Sequence, residues 1–280
     1  MSTKTICVKV SKGGVGKTTI SSNLAVVLAR QGFKTLLIDL DSQANLSTSL
    51  LGEVDDEKLT SSNLLGDDLR DINELIYSLE DNLDIITADI GLHEVAKYLE
   101  NKGNYTKRLS EVYSNLAIEN KYDLVIFDLS PGVADTLTEI VLAQSELLVC
   151  PTHFDVDSLS GIVHTISDVS RLSDKNLVKE DIHYLVVPNR YDRRFEKDNE
   201  QIRQILYENL EEEFIAEPIR ENSHIKKARM QGVNIVDYEL NPSRKYEHKK
   251  GIEDFEQLAK RIISLLSLSV DFKNSVNQNN

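Results

Sequence analysis

Nine residues near the N-terminus, Ser11-Lys12-Gly13-Gly14-Val15-Gly16-Lys17-Thr18-Thr19, constrain this chain more than any other feature. They follow a short β-rich run at residues 5–10. They open a stretch, 17–30, in which Ile20, Leu24, Val27 and Leu28 recur at helical spacing. A glycine-rich turn between a strand and a helix N-terminus is a phosphate cradle. Three glycines let backbone N–H groups converge without Cβ clashes, and the helix end adds partial positive charge. Gly13, Gly14, Val15 and Gly16 then supply amides, Lys17 reaches the β and γ phosphates, and the Thr18 hydroxyl, with Thr19 beside it, offers a ligand for Mg²⁺. The first position of the strict P-loop pattern is Ser11 instead of glycine, so the match rests on the remaining positions.

An apolar run at 35–40 completes a βαβ unit, and further runs at 83–87, 124–127, 147–149 and 184–187 continue the alternation. Continuous apolar strands spaced by helices predict an α/β fold: a mostly parallel twisted sheet covered by helices on both faces, as in P-loop NTPases. With 280 residues, 40% of them hydrophobic, one domain over 1–270 is expected. An acidic stretch at about 52–82 has weak periodicity and is read as an irregular surface insertion; residues 271–280 are read as a polar, flexible tail. No apolar run reaches the ~18 residues of a membrane span, and no signal-peptide core precedes the glycine loop. Cys7 and Cys150 lie in apolar runs without ligand spacing, which predicts buried reduced thiols and a cytoplasmic protein.

Three carboxylates close apolar strands. Asp39 and Asp41 end the second, where alternation puts both on one side, facing the phosphate loop. Asp128 ends the run Leu124-Val125-Ile126-Phe127, as a Walker B aspartate that holds Mg²⁺ does.

Lys12 is not needed to hold phosphate within one chain. Lys12-Gly13-Gly14-Val15-Gly16-Lys17-Thr18 resembles the motif of the deviant Walker A ATPases, the family of ParA-type partition ATPases and MinD-like proteins. The resemblance implies ATP and Mg²⁺ as cofactors and a nucleotide-sandwich homodimer in which Lys12 crosses to the partner's phosphates. It also implies that Asp41 orients the attacking water while Asp39 and Asp128, with Thr18, serve the metal. Lys12, Lys17 and Asp41 are therefore the expected catalytic residues. Asn189, after the 184–187 strand, is similar to the residue that reads the adenine edge, and Pro218 to the proline that packs on the base. Ser130 departs from the family's usual Pro-Pro pair after Asp128.

The net charge of −14 argues against nucleic acid until its distribution is considered. Residues 52–100 hold 14 acidic and 3 basic residues, whereas 218–250 hold 8 basic and 4 acidic. A basic face for non-specific DNA is expected from Arg190, Arg193, Arg194, Lys226, Lys227, Arg229, Arg244, Lys245, Lys249 and Lys250. With the P-loop this close to Met1, no N-terminal helix-turn-helix is expected, and the cysteines do not match those of iron-protein relatives. A P-loop amide-forming synthase would want a substrate pocket that the sequence does not display. Phe255, Leu258, Ile262, Leu265 and Leu266 predict a packed terminal helix, so no stable membrane binding of the MinD kind is expected. Within the family, the resemblance is to a small partition ATPase: an ATP-closed dimer on nucleoid DNA, stimulated by a centromere-bound ParB-type adaptor.

Overall fold

The computed structural model describes residues 2–52, 54, 58–67, 71–131, 135–179, 182–243 and 249–268. Eight strands, β1 (Lys4–Val8), β2 (Thr35–Leu40), β3 (Ile76–Glu80), β4 (Leu83–Ile86), β5 (Leu124–Leu129), β6 (Leu147–Thr152), β7 (His183–Tyr191) and β8 (Ile219–Arg220), form one sheet in the order β3-β4-β2-β5-β1-β6-β7-β8. All neighbours are parallel except β3 and β4, which form an antiparallel edge pair. Every residue of β2, β5 and β6 is buried, as strands covered on both faces require.

Alternation along the strands divides the core into two layers. Ile6, Val8, Leu37 and Ile126 pack with Ile20 and Leu24 of the helix Lys17–Arg30 and with Phe255, Leu258 and Ile262 of the helix Lys250–Leu265. Cys7, Leu36, Ile38 and Phe127 pack on the other face with Leu109, Val112, Ile140 and Val141. The terminal helix is thus sheet-packed along its apolar stripe. Both cysteines are buried and free, and among the described residues no helix is long and apolar enough to cross a membrane.

The stretch read as an irregular surface insertion at about 52–82 is more ordered than expected in its described part. It holds a helix, Ser61–Leu65, and the edge strand β3, and it buries Leu64, Leu65, Ile72 and Leu75. The dense carboxylates hid a sparse apolar pattern, because an edge strand and a five-residue helix bury few positions each. The expected strand at 184–187 likewise extends to Tyr191 and takes in Asn189. The 271–280 tail, Arg244 and Lys245 lie outside the described residues.

Parallel strands all end on one edge of the sheet, which places the turns after β1, β2, β5 and β6 together. The acidic window's strands, β3 and β4, form one side of the sheet; β8, which leads into the basic helix Ser223–Met230, forms the other.

Candidate nucleotide site

The glycine loop bends as its composition requires: Gly14 and Gly16 have φ of 76° and 101°, in the left-handed region. Gly16 is also where another chain segment comes closest, since a Cβ there would sit 2.2 Å from Asn189 Nδ2. That amide donates to the Val15 carbonyl at 2.7 Å, and Asn189 Oδ1 accepts from Arg190 N at 2.9 Å. The residue expected to read adenine therefore braces the phosphate loop itself.

Lys17 opens the helix, is largely buried, and donates to the Lys12 carbonyl at 3.2 Å. Burial brings its ammonium down to about 8, against the pull of Asp128 and Asp41. Asp128 is 1% exposed and accepts from Ser21 Oγ at 2.9 Å. Burial, then the charge of Asp39, raises its carboxyl to about 7, while hydrogen bonds from Thr18 and Ser21 work the other way. Asp39 stands beside Asp128 in the β2–β5 register and is fully buried. Its Oδ1 accepts from Asp41 N at 3.0 Å, and its Oδ2 from Ser47 N at 3.0 Å and Ser47 Oγ at 2.7 Å. Burial pushes this carboxyl upward too. Asp41 lies one residue past the strand end, so strand alternation does not set its direction; its Oδ1 accepts from Gln43 N at 3.0 Å.

Among the described residues no cluster of three His, Cys, Asp or Glu side chains forms a self-sufficient metal cage. One threonine hydroxyl hydrogen-bonded to a strand-end carboxylate fits Mg²⁺, a hard cation that keeps waters and takes further ligands from phosphates.

Lys12 donates to Asp155 Oδ1 at 2.7 Å and to Ser158 Oγ at 2.9 Å. Asp155 caps the helix Val156–Asp174, accepting from Ser158 N at 2.7 Å. Burial alone would raise its carboxyl; the bonds from Lys12 and Ser158 outweigh that and hold it below the usual range.

A cleft of about 610 Å³ opens beside Gly16 and Thr19, lined by Asn189, Arg190, Arg220, Asn222, Lys226 and Arg229 among others. Pro218 is not part of it. Pro218 lines a separate cleft of about 770 Å³ with Phe154, Pro188 and Lys260. The reason is topological: β8 runs parallel to β7, so the phosphate-side edge receives the residues after β8, Glu221 and Asn222, and not those before it. Of the residues expected at DNA, Arg190, Lys226 and Arg229 border the nucleotide-side cleft, and Arg194 is paired with Asp192 at 2.5 Å. Arg193, Lys227, Lys249 and Lys250 are exposed. Sequence reading passed over Ser21, Ser47, Asp155 and Lys9. Of these, only Asp155, an acid following an apolar strand, carried the signal used for Asp39 and Asp128.

A family model described as an AAA domain matches residues 3–183. The chain is 30% identical over 240 residues to an uncharacterised protein of Methanocaldococcus jannaschii, covering 82% of this chain and 89% of that one. It is 34% identical to the chromosome partitioning protein ParA of Myxococcus xanthus over 63% of this chain and 62% of the relative, and 25% identical to ParA of Caulobacter vibrioides over 90% and 91%. Among solved structures, the ATP complex of a Cyanothece McdA variant superposes with a TM-score of 0.80 at 24% identity, covering 96% of this chain and 98% of that one. MinD of Pyrococcus horikoshii with Mg-ADP superposes with a TM-score of 0.69 at 26% identity, covering 96% and 99%. The fold and phosphate site define a P-loop nucleotide-binding protein. The chain belongs to the ParA/MinD family of P-loop ATPases.

Proposed function

We propose that this protein is a DNA partition ATPase, in which ATP closes a homodimer that holds DNA without regard to sequence and lets go after hydrolysis stimulated by a centromere-bound, ParB-type adaptor. The observation that carries this reading is Lys12: a second lysine at the phosphate loop, its side chain partly exposed and so able to reach out of its own chain, in a protein whose relatives include chromosome partitioning proteins.

Each residue has a task in this scheme. Backbone amides of the glycine loop and Lys17 bind the phosphates, and Asn189 keeps the loop in shape from behind. Thr18 and Asp128 would hold Mg²⁺, which when bound neutralises charge on the phosphate oxygens. Asp39, fixed by Ser47, ties the Asp41 turn to the sheet, so that Asp41 can orient water. Lys12 leaves Asp155 and stabilises the phosphates of the partner subunit.

Co-sedimentation with DNA and with anionic liposomes, each with ATP and with ADP, tests the reading. Pelleting with DNA in ATP alone supports it. Pelleting with liposomes alone would replace it with a membrane-positioning role.

A further inference from the structure

β1 is apolar from Ile6 to Val8, and the next residue is Lys9, whose side chain is 1% exposed. Its backbone N–H bonds to the Val149 carbonyl of β6, and its Nζ crosses to the exit of β5, donating to the Ser130 carbonyl at 2.8 Å. An ammonium has three protons to donate, and burying one costs more than burying an apolar side chain of the same length. Burial accordingly draws the Lys9 ammonium down, with Asp135, Asp168 and Asp41 supplying compensating charge. A methionine would fill this site without that cost, so the ammonium is to be explained by what it holds.

What it holds is the turn after Asp128. Ser130 is two residues beyond that carboxylate, and Pro131 lies beside the phosphate loop: its Cβ is 3.8 Å from where a Cβ on Gly13 would be. The Lys9–Ser130 hydrogen bond thus fixes a turn whose next residue, Pro131, neighbours Gly13 of the phosphate cradle.

We propose that Lys9 is a positioning residue for ATP hydrolysis, its ammonium clamping the Ser130 carbonyl so that the Leu129-Ser130-Pro131 turn keeps its place beside Gly13 of the phosphate loop. It acts through the turn and touches no reacting atom. The proposal rests on the hydrolysis reading above for its effect on rate, but the clamp itself has a readout without nucleotide.

The experiment compares wild type with Lys9→Met, which keeps length and removes charge, and with Lys9→Arg and Lys9→Gln, which keep a donor. Four quantities are measured: ATP turnover, KM for ATP, the melting temperature, and amide exchange at Leu129 and Ser130 in the nucleotide-free protein. Lys9→Met is expected to lose about tenfold or more in turnover with KM within about twofold, as loss of alignment without loss of binding requires. Exchange at Ser130 is expected to accelerate by about tenfold, and the melting temperature to stay level or rise. Lys9→Arg should recover part of both losses, and Lys9→Gln serves if the Met variant does not fold. Unchanged exchange at Ser130, or turnover that falls only in step with KM or melting temperature, overturns the proposal. If wild type itself fails to turn over ATP, the hydrolysis reading falls while the exchange result still decides the clamp.

Discussion

Lys12 and Asp155 form an ion pair within one chain, Nζ to Oδ1 2.7 Å, on the cap of the helix Val156–Asp174. A lysine held there is not at a partner's phosphates, so the dimer closure proposed above would have to break the pair. The two side chains are 31% and 42% exposed, which limits the competition to about 1 kcal/mol per protomer; a symmetric homodimer breaks two such pairs, about 2 kcal/mol or about thirtyfold in a dissociation constant. Asp155→Ser keeps a good helix cap and removes the charge. Sedimentation equilibrium with ATP should show its dimer forming at lower concentration than wild type, by up to about thirtyfold, since both protomers lose the pair. Lys12→Ala, by contrast, should still bind ATP and not dimerise productively. A weaker dimer in Asp155→Ser would show that the pair aids closure instead of opposing it.

Gly16 is required twice over, for φ of 101° and for the space that Asn189 occupies. Alanine there costs about 1–2 kcal/mol for the left-handed backbone alone, and its Cβ cannot coexist with Asn189 Nδ2 at 2.2 Å. Gly16→Ala should melt lower and lose ATP binding by calorimetry. Adding Asn189→Ala removes the clash but not the backbone strain, so the double variant should recover part of the melting temperature. No recovery would mean that the strain dominates.

These two cases also show how far the sequence could be read. The glycine loop, its helix and the strand-end aspartates are local patterns, and the chain places Lys17–Arg30 and Thr35–Leu40 where periodicity and glycine spacing put them. The bracing of Val15 by Asn189, the pairing of Lys12 with Asp155 and the reach of Lys9 to Ser130 join residues 174, 143 and 121 positions apart. They exist because the strand order puts β5, β6 and β7 where it does, and no local pattern encodes them. Pro218 missed the phosphate-side edge for the same reason: its distance from that edge is set by the direction of a two-residue strand.

Asp41 makes a turn through Gln43 N, and among the described residues that carboxylate has no bond to the phosphate loop. Asp41→Ala is therefore expected to bind ATP within a few-fold of wild type and to lose about 10²–10⁴ in turnover, the range for a lost water-orienting group. Isothermal titration and single-turnover hydrolysis separate the two quantities. Normal turnover would remove Asp41 from the mechanism.

Lys9 gives a stability test with a definite sign. Its ammonium is held below the ordinary lysine value by burial, so between the folded and unfolded pKa values the unfolded chain binds more protons and stability rises with pH. The cost of burying the charge is fully present below the folded value and is relieved as pH rises through it. Melting curves of wild type and Lys9→Met should then differ most near neutrality, with the variant higher, and converge as the pH approaches the ordinary lysine value. A gap that widens with pH would contradict the buried charged form.

The last expectation concerns DNA. Lys227 and Lys250 are exposed and do not line the cleft beside Gly16, whereas Lys226 and Arg229 do. Replacing the first pair with glutamate should leave ATP binding unchanged. If those residues contact DNA in the closed dimer, affinity should require ATP, because closure doubles the phosphates engaged at once. Log affinity should fall with log salt at about −0.9 per phosphate contacted, and each lysine lost should flatten that slope by about 1 per DNA phosphate. The acidic strands at the far side of the sheet would not oppose this attraction, since β3 and β4 are separated from β8 by five strands. Fluorescence anisotropy on two unrelated duplexes, with ATP and with ADP across a salt series, measures all of this. Equal binding in ADP, or an unchanged salt slope in the double variant, would take Lys227 and Lys250 out of the interface.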